Sequence, residues 1–208
     1  MEMDKKSKFA RRNVKNLEYL RDIIPEKTEI LTIFNTPNYK YRYKLPSESF
    51  DINITDYPAL DLKDLGNFPD FLVNIKQIYI VDILTLCSLK GLPSNLPNLE
   101  RFTTRNIPID SLQYFPKSLP RLKKLEITKT NIRTFKYLPQ ELPALEYLDM
   151  SNNKLISFKH LPRKLISLKE FKIYDNQFTS WLDYPDRVIF GKIYPKIQRY
   201  KNPIRTLS

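Results

Sequence analysis

The chain of 208 residues contains one cysteine, one histidine, one tryptophan and three glycines. It also lacks any run of about 20 apolar residues, the length that crosses a bilayer. Each scarcity excludes something. Cys87, being alone, forms no internal disulfide, which points to a reducing, intracellular (cytoplasmic or nuclear) compartment. With His160 as the only imidazole there is no zinc-type cluster, and a Cys/His or Ser/His/Asp nucleophile system would need one accidental pairing. Three glycines leave no Gly-rich loop to cradle a phosphate. The carboxylates are scattered and read as surface charge. The expectation is a protein that is not an enzyme and takes no metal, cofactor or small-molecule substrate. Its first residues, Met1 to Lys6, lack the apolar core of a signal peptide, so no membrane is expected either. Turns should be made with proline and asparagine in place of left-handed glycine.

Proline is what the chain has in a pattern. Pro25, Pro46, Pro69, Pro93, Pro116, Pro139, Pro162 and Pro185 recur at 21, 23, 24, 23, 23, 23 and 23 residues. Apolar columns keep the same register: Leu86, Ile109, Ile132, Leu155 and Phe178; Leu89, Leu112, Phe135, Phe158 and Trp181; Leu99, Leu122, Leu145 and Leu168; and Phe102, Leu125, Leu148 and Phe171. A fixed period of this length means stacked units that touch only their neighbours, hence a solenoid over residues 25–185.

The alternation of Leu148 and Met150 is the period of a short strand with one buried face. Strands separated by equal return paths run parallel. The return path Leu138-Pro139-x-x-Leu142-Pro143 admits about one helical turn, because Pro143 disfavours helix in the residue before it. Long convex helices are therefore not expected. Residues 145–161 read Leu-x-x-Leu-x-Met-x-x-Asn-x-Leu-x-x-Phe-x-x-Leu, which resembles the leucine-rich repeat of the intracellular short-repeat type found in phosphatase regulators and spliceosomal adaptors. Asn153 and Asn176 stand where that family has its asparagine, whose side chain satisfies backbone groups of the neighbouring coil; Ile107 and Thr130 replace it in the preceding units. The resemblance implies an α/β leucine-rich-repeat solenoid of about seven to eight coils. It would have a curved parallel sheet on the concave face and short turns or 3-10 segments on the convex face.

The two ends read as caps. Val14, Leu17, Leu20 and Ile24 repeat at helical spacing within a basic segment, residues 1–24. Residues 186–208 stay apolar beyond the last clear unit and form either a closing cap or a partner-binding arm. The net charge is +12 with a pI near 9.6. Eight of the twelve excess charges fall in residues 1–15 and 183–208, with Lys5, Lys6, Lys8, Arg11 and Arg12 at one end and Lys196, Arg199 and Lys201 at the other. Such an excess suits RNA or another acidic partner.

Two faces carry candidate sites. Exposed strand positions on the concave side are Arg101, Thr103 and Arg105; Lys124 and Glu126; Tyr147 and Asp149; Glu170, Lys172 and Tyr174. Their mixed signs fit a protein surface better than a phosphate backbone, the competing reading being charge pairing between neighbouring strands. On the return path Lys136, Tyr137, Lys159, His160, Arg163 and Lys164 form a basic, partly aromatic edge. It either holds RNA phosphates with rings stacked on bases or is a solvated edge. Tyr39 to Lys44 alternates ring and cation, as an amphipathic strand or an RNA-facing loop would. The leading expectation is an interaction scaffold that binds a protein partner by the concave face. The alternative is a structural subunit of a ribonucleoprotein, ribosome-like or spliceosome-like, that contacts RNA through its basic ends and return edge.

Overall fold

The structure, a computed structural model, describes residues 24, 27–35, 50–53, 62–66, 68, 72, 74–179, 189–190, 196–198 and 202–203. Ten strands lie among them: β1 (Ile30–Phe34), β2 (Phe50–Asn53), β3 (Gln77–Val81), β4 (Arg101–Arg105), β5 (Lys124–Thr128), β6 (Tyr147–Asp149), β7 (Lys164–Leu165), β8 (Glu170–Lys172), β9 (Ile189–Phe190) and β10 (Lys196–Gln198). Eight of them form one parallel sheet in the order β10, β8, β6, β5, β4, β3, β1, β2. From β3 to β8 each strand pairs with the one a coil further on, Gln77 with Arg101, Arg101 with Lys124, Lys124 with Tyr147 and Tyr147 with Glu170. The result is a parallel β-solenoid of about five turns, with a repeat of about 23 residues.

The α/β expectation is corrected here: the described residues contain no α-helix, only 3-10 geometry at Leu72 and Asn74. Each Leu-Pro-x-x-Leu-Pro stretch is too short for more than a turn between its prolines. The return paths instead carry a second parallel ladder, with bridges from Asn95 to Ser118 and from Glu141 to Lys164, closed by β7 against β9. The carboxy-terminal segment extends both ladders, since β10 pairs with β8.

The amino-terminal end also departs from a simple count of seven to eight coils. Ile30 pairs with Gln77, two repeat lengths further on, and β2 lies on the far side of β1. Strand composition explains this order. Ile30-Leu31-Thr32-Ile33-Phe34 is apolar almost throughout and is buried on both faces, as an interior parallel strand should be. Phe50-Asp51-Ile52-Asn53 alternates and carries polar residues, which suits an edge. Strand β3 is likewise buried on both faces, including Tyr79 and Val81, whereas β4 and β5 alternate strictly. Among the described residues the outward side of β1 and β3 is covered, and that of β4 and β5 is open.

The expected columns are the core, apart from Trp181, which lies outside the described residues. Leu86, Ile109, Ile132, Leu155 and Phe178 are buried, as are Leu99, Leu122, Leu145 and Leu168. Phe135, Phe158 and Phe178 stack along the axis, with centroids 6.4 and 4.5 Å apart and planes within 11° and 21°. Beside them runs an asparagine ladder. Asn153 donates to the carbonyls of Ile127 (2.7 Å) and Met150 (2.9 Å) and accepts from the Thr130 amide and hydroxyl. Asn176 donates to Met150 and Ile173 and accepts from the Leu155 amide. Asn202 then donates to Ile173 and accepts from the Asn176 amide. Every rung ties one coil to the next. The ladder stops at buried Ile107, which has no polar atom to offer.

Turns use left-handed backbone, with asparagine, aspartate and one lysine where glycine could stand. Asp82, Asn106, Lys129, Asn152 and Asp175, one per coil just past the strand, have φ between 52° and 57°. Asp and Asn tolerate this region because their short side chains bond locally. At the start of each return turn Ser88, Ser111, Thr134 and Ser157 accept a hydrogen bond from the amide two residues on, a second column at the same period. Among the described residues no helix is long and apolar enough to cross a membrane.

One core position is chemically wrong for its place. Thr104 faces inward between Ile80 and Ile127, fully buried, and its hydroxyl has no partner. Thr104→Val keeps the shape and removes the orphan, so it should stabilise by about 1–2 kcal/mol. A urea midpoint that rises with unchanged slope is the expected result; a falling midpoint would show the hydroxyl to be bonded.

Candidate functional site

Strands β4, β5, β6 and β8 present their even-numbered or odd-numbered residues to solvent as the pleat dictates, and this places most of the expected concave residues together. Arg101, Thr103, Arg105, Lys124, Glu126, Tyr147, Glu170, Lys172 and Tyr174 are all half-buried on one side of the sheet. Tyr147 is the centre. Lys124 from β5 lies 4.5 Å from its ring centroid and Lys172 from β8 lies 5.0 Å from it, so two cations flank one ring. Each cation is also matched along its own strand, Lys124 with Glu126 at 3.2 Å and Lys172 with Glu170 at 3.5 Å. Glu126 reaches across to the Thr103 hydroxyl, which donates at 2.9 Å. The polar face is therefore interlinked before any partner arrives.

Asp149 differs from its expected role. It is only 8% exposed, and its carboxylate accepts from the Ser151 amide and hydroxyl and from the Tyr147 hydroxyl, so it positions neighbours and does not face solvent. At the other end of the face, Arg101 donates to the Tyr79 hydroxyl at 2.9 Å, and Tyr79 in turn donates to Gln77. Tyr79 belongs to this site and precedes Thr103 by one repeat, a signal the period itself carries.

Burial is the main cause that pushes the Tyr147 phenol up to about 12, with Asp149 and Glu126 adding to it against Lys172. Lys172 is held protonated above its ordinary range, chiefly by its hydrogen bond to Tyr147, with Glu170 and Asp149 contributing. For an acid raised above its unfolded value, the associated stability is present below pH 10 and is lost as pH climbs to 12. Tyr147→Phe should therefore flatten the alkaline limb of the stability profile between pH 10 and 12, read by urea unfolding. Parallel limbs in the two proteins would show that the ring titrates as it does in the unfolded chain.

Flanking the face, the column Lys76, Glu100, Lys123, Glu146, Lys169 alternates in sign. Lys123 bridges to Glu100 at 2.9 Å and Lys169 to Glu146 at 2.7 Å, and Lys169 draws the Glu146 carboxyl below its ordinary value. These pairs are solvent-exposed and contribute little to stability. Cross-strand charge pairing thus sits in this rim column, whereas the central face pairs its charges along strands.

The return edge gathers the second candidate set. Lys136, Tyr137, Lys159, His160, Arg163 and Lys164 are all exposed. Lys136 lies 4.8 Å from the Tyr137 ring, and Lys164 is bridged to Glu141. Tyr114 and Lys90 belong to the same columns. Lys196 is in β10. Lys5, Lys6, Lys8, Arg11, Arg12, Arg199 and Lys201, like Tyr39 to Lys44 and the expected amino-terminal helix, lie outside the described residues. Among the described residues no group of three or more His, Cys, Asp or Glu side chains is placed to hold a metal ion. Among known proteins, no family model and no curated sequence matches the chain.

Proposed function

We infer that the protein is a non-enzymatic leucine-rich-repeat scaffold, acting inside the cell, that holds a protein partner against the outward side of β4, β5, β6 and β8. The observation that carries this reading is the pre-ordered polar network around Tyr147. Side chains already tied to one another lose little rotamer freedom on binding, so more of the contact energy appears as affinity. Tyrosine and arginine anchors within a mixed-charge surface are the composition of protein interfaces. Asn153 and Asn176, with their bonds to neighbouring coils, support the leucine-rich-repeat assignment, because they act as the family's asparagine does.

The test is a capture experiment from native extract with three proteins: wild type, Arg101→Ala/Tyr147→Ala/Tyr174→Ala, and Lys136→Gln/Lys159→Gln. Each is first checked for an unchanged cooperative melt. A partner retained by the edge variant and lost by the triple variant is the expected result. Equal recovery by wild type and the triple variant contradicts the reading.

A further inference from the structure

We propose that the return edge is a docking surface for single-stranded nucleic acid, with the rings of Tyr114, Tyr137 and His160 stacking on bases and the flanking lysines and arginines meeting phosphates. This surface is separate from the sheet face and does not depend on the protein-partner reading.

The decisive observation is where those rings sit. Gly91, Tyr114, Tyr137 and His160 form one column at the 23-residue period. Gly91 has φ 98°, and Tyr137 and His160 have φ 76° and 69°. This is the left-handed region, easy for glycine, tolerated by asparagine, aspartate and histidine, and strained for a bulky residue such as Tyr137. The backbone is left-handed at Gly91, Tyr137 and His160 but not at Tyr114, so two of the three rings sit in that region. Nor do the rings repay the strain by packing inward. Tyr114 and Tyr137 are 42% and 43% exposed, and His160 is exposed as well. Tyr137 thus keeps nearly half of its surface open to solvent on a strained backbone. Strain kept at a surface position points to a use there.

The charge around the rings names the ligand. The four return segments, residues 87–95, 110–118, 133–141 and 156–164, hold seven lysines and arginines against two carboxylates, Asp110 and Glu141. Glu141 is taken by Lys164, so the edge presents cations almost alone. Lys136 and Lys159 precede the two left-handed rings directly and repeat one coil apart, at about the 4.8 Å spacing of neighbouring strands. Cations that track a chain of phosphates beside rings that stack on successive bases are the two parts of a single-strand binding groove. An acidic protein would use the cations and leave the rings without a role.

The strain makes the test clean. Tyr137→Asn/His160→Asn removes both rings while giving the turn a residue it tolerates, so its melting temperature should hold or rise. Binding of full-length protein to labelled oligo(U), oligo(dT), duplex RNA and poly-L-glutamate is measured by anisotropy from about 50 to 200 mM salt. Wild type should prefer both single strands over duplex and polyglutamate. The ring variant should lose at least about ten-fold in oligo(U) affinity at every salt concentration. Lys136→Gln/Lys159→Gln should instead lower the salt slope by about 1.4, two single-strand phosphate contacts. Unchanged oligo(U) affinity in the ring variant overturns the proposal, because binding would then come from charge elsewhere, the basic ends included. Equal affinity for polyglutamate or duplex overturns it as well, and so does an unchanged salt slope. A preference between oligo(U) and oligo(dT) would identify which nucleic acid the edge serves.

Discussion

Asn153→Ala is expected to lower the unfolding free energy by about 3–4 kcal/mol, more than a single hydrogen-bond deletion removes. The side chain is buried and bonds to two coils at once, donating to Ile127 and Met150 and accepting from both polar groups of Thr130. Alanine leaves the Thr130 amide and the Ile127 carbonyl facing a small cavity. Met150 keeps its second donor, Asn176, which limits the loss. Because a solenoid's stability is a sum of nearest-neighbour terms, the damage should centre on the junction of β5 and β6. Native-state hydrogen exchange should show faster opening on both sides of that junction, with Thr130→Val/Asn153→Leu partly restoring it by replacing partners together. A loss below about 1 kcal/mol would mean the ladder is solvated.

Gly91→Ala should cost about 3 kcal/mol or more for a different reason. The backbone at Gly91 has φ 98°, and a Cβ there would lie 2.0 Å from the Leu65 carbonyl oxygen and 2.6 Å from the Gly66 nitrogen. These are backbone atoms of the preceding coil, held close by the Leu65 amide bond to the Lys90 carbonyl at 2.7 Å. No rotamer change relieves the overlap, so the two coils must separate. The expected outcome is a lower melting temperature together with proteolysis that begins near residues 62–68 while β5 to β8 stay protected. Protection of that first coil at wild-type level would contradict the close approach. The same column holds Tyr114, Tyr137 and His160 further along, and the close approach of the Leu65 and Gly66 backbone is what makes the Gly91 rung demand glycine.

Much of this architecture was legible in the amino-acid order because a solenoid is nearly one-dimensional. The period of Pro93, Pro116, Pro139 and Pro162 sets which residues share a column, and alternation within Lys124-Leu125-Glu126-Ile127 sets which face each takes. The sheet-side candidates came together for that reason. What escaped reading depends on contacts between unlike segments. Strand β2 beyond β1 reflects the exchange of a continuous apolar strand into the sheet interior, and the proline spacing around Pro46 does not encode it. Asn202 lies outside the strict period, so its place on the asparagine ladder shows only once β10 joins the sheet. The inward turn of Asp149 goes with its bonds to the Ser151 amide and hydroxyl, a local loop closure that strand alternation does not foretell. Left-handed backbone at Tyr137 and His160 is marked in the sequence only by Gly91 at the same period, because a tyrosine by itself does not signal it. Lys90 and the column Ser88, Ser111, Thr134 and Ser157 were visible at the same spacing and needed only to be read.

Both proposed surfaces rest on one claim, that coils stack in parallel with Thr103 opposite Glu126. In a Cys87→Ser background, the pair Thr103→Cys/Glu126→Cys places its Cα atoms at the spacing of adjacent strands, about 4.8 Å, within disulfide reach. The control, Thr103→Cys/Lys124→Cys, is out of register by two residues. Rapid air oxidation of the first pair, with the control remaining reduced under the same conditions, is the expected result. Equal oxidation of both pairs, or oxidation of the control alone, would contradict the parallel 23-residue register and with it both surfaces.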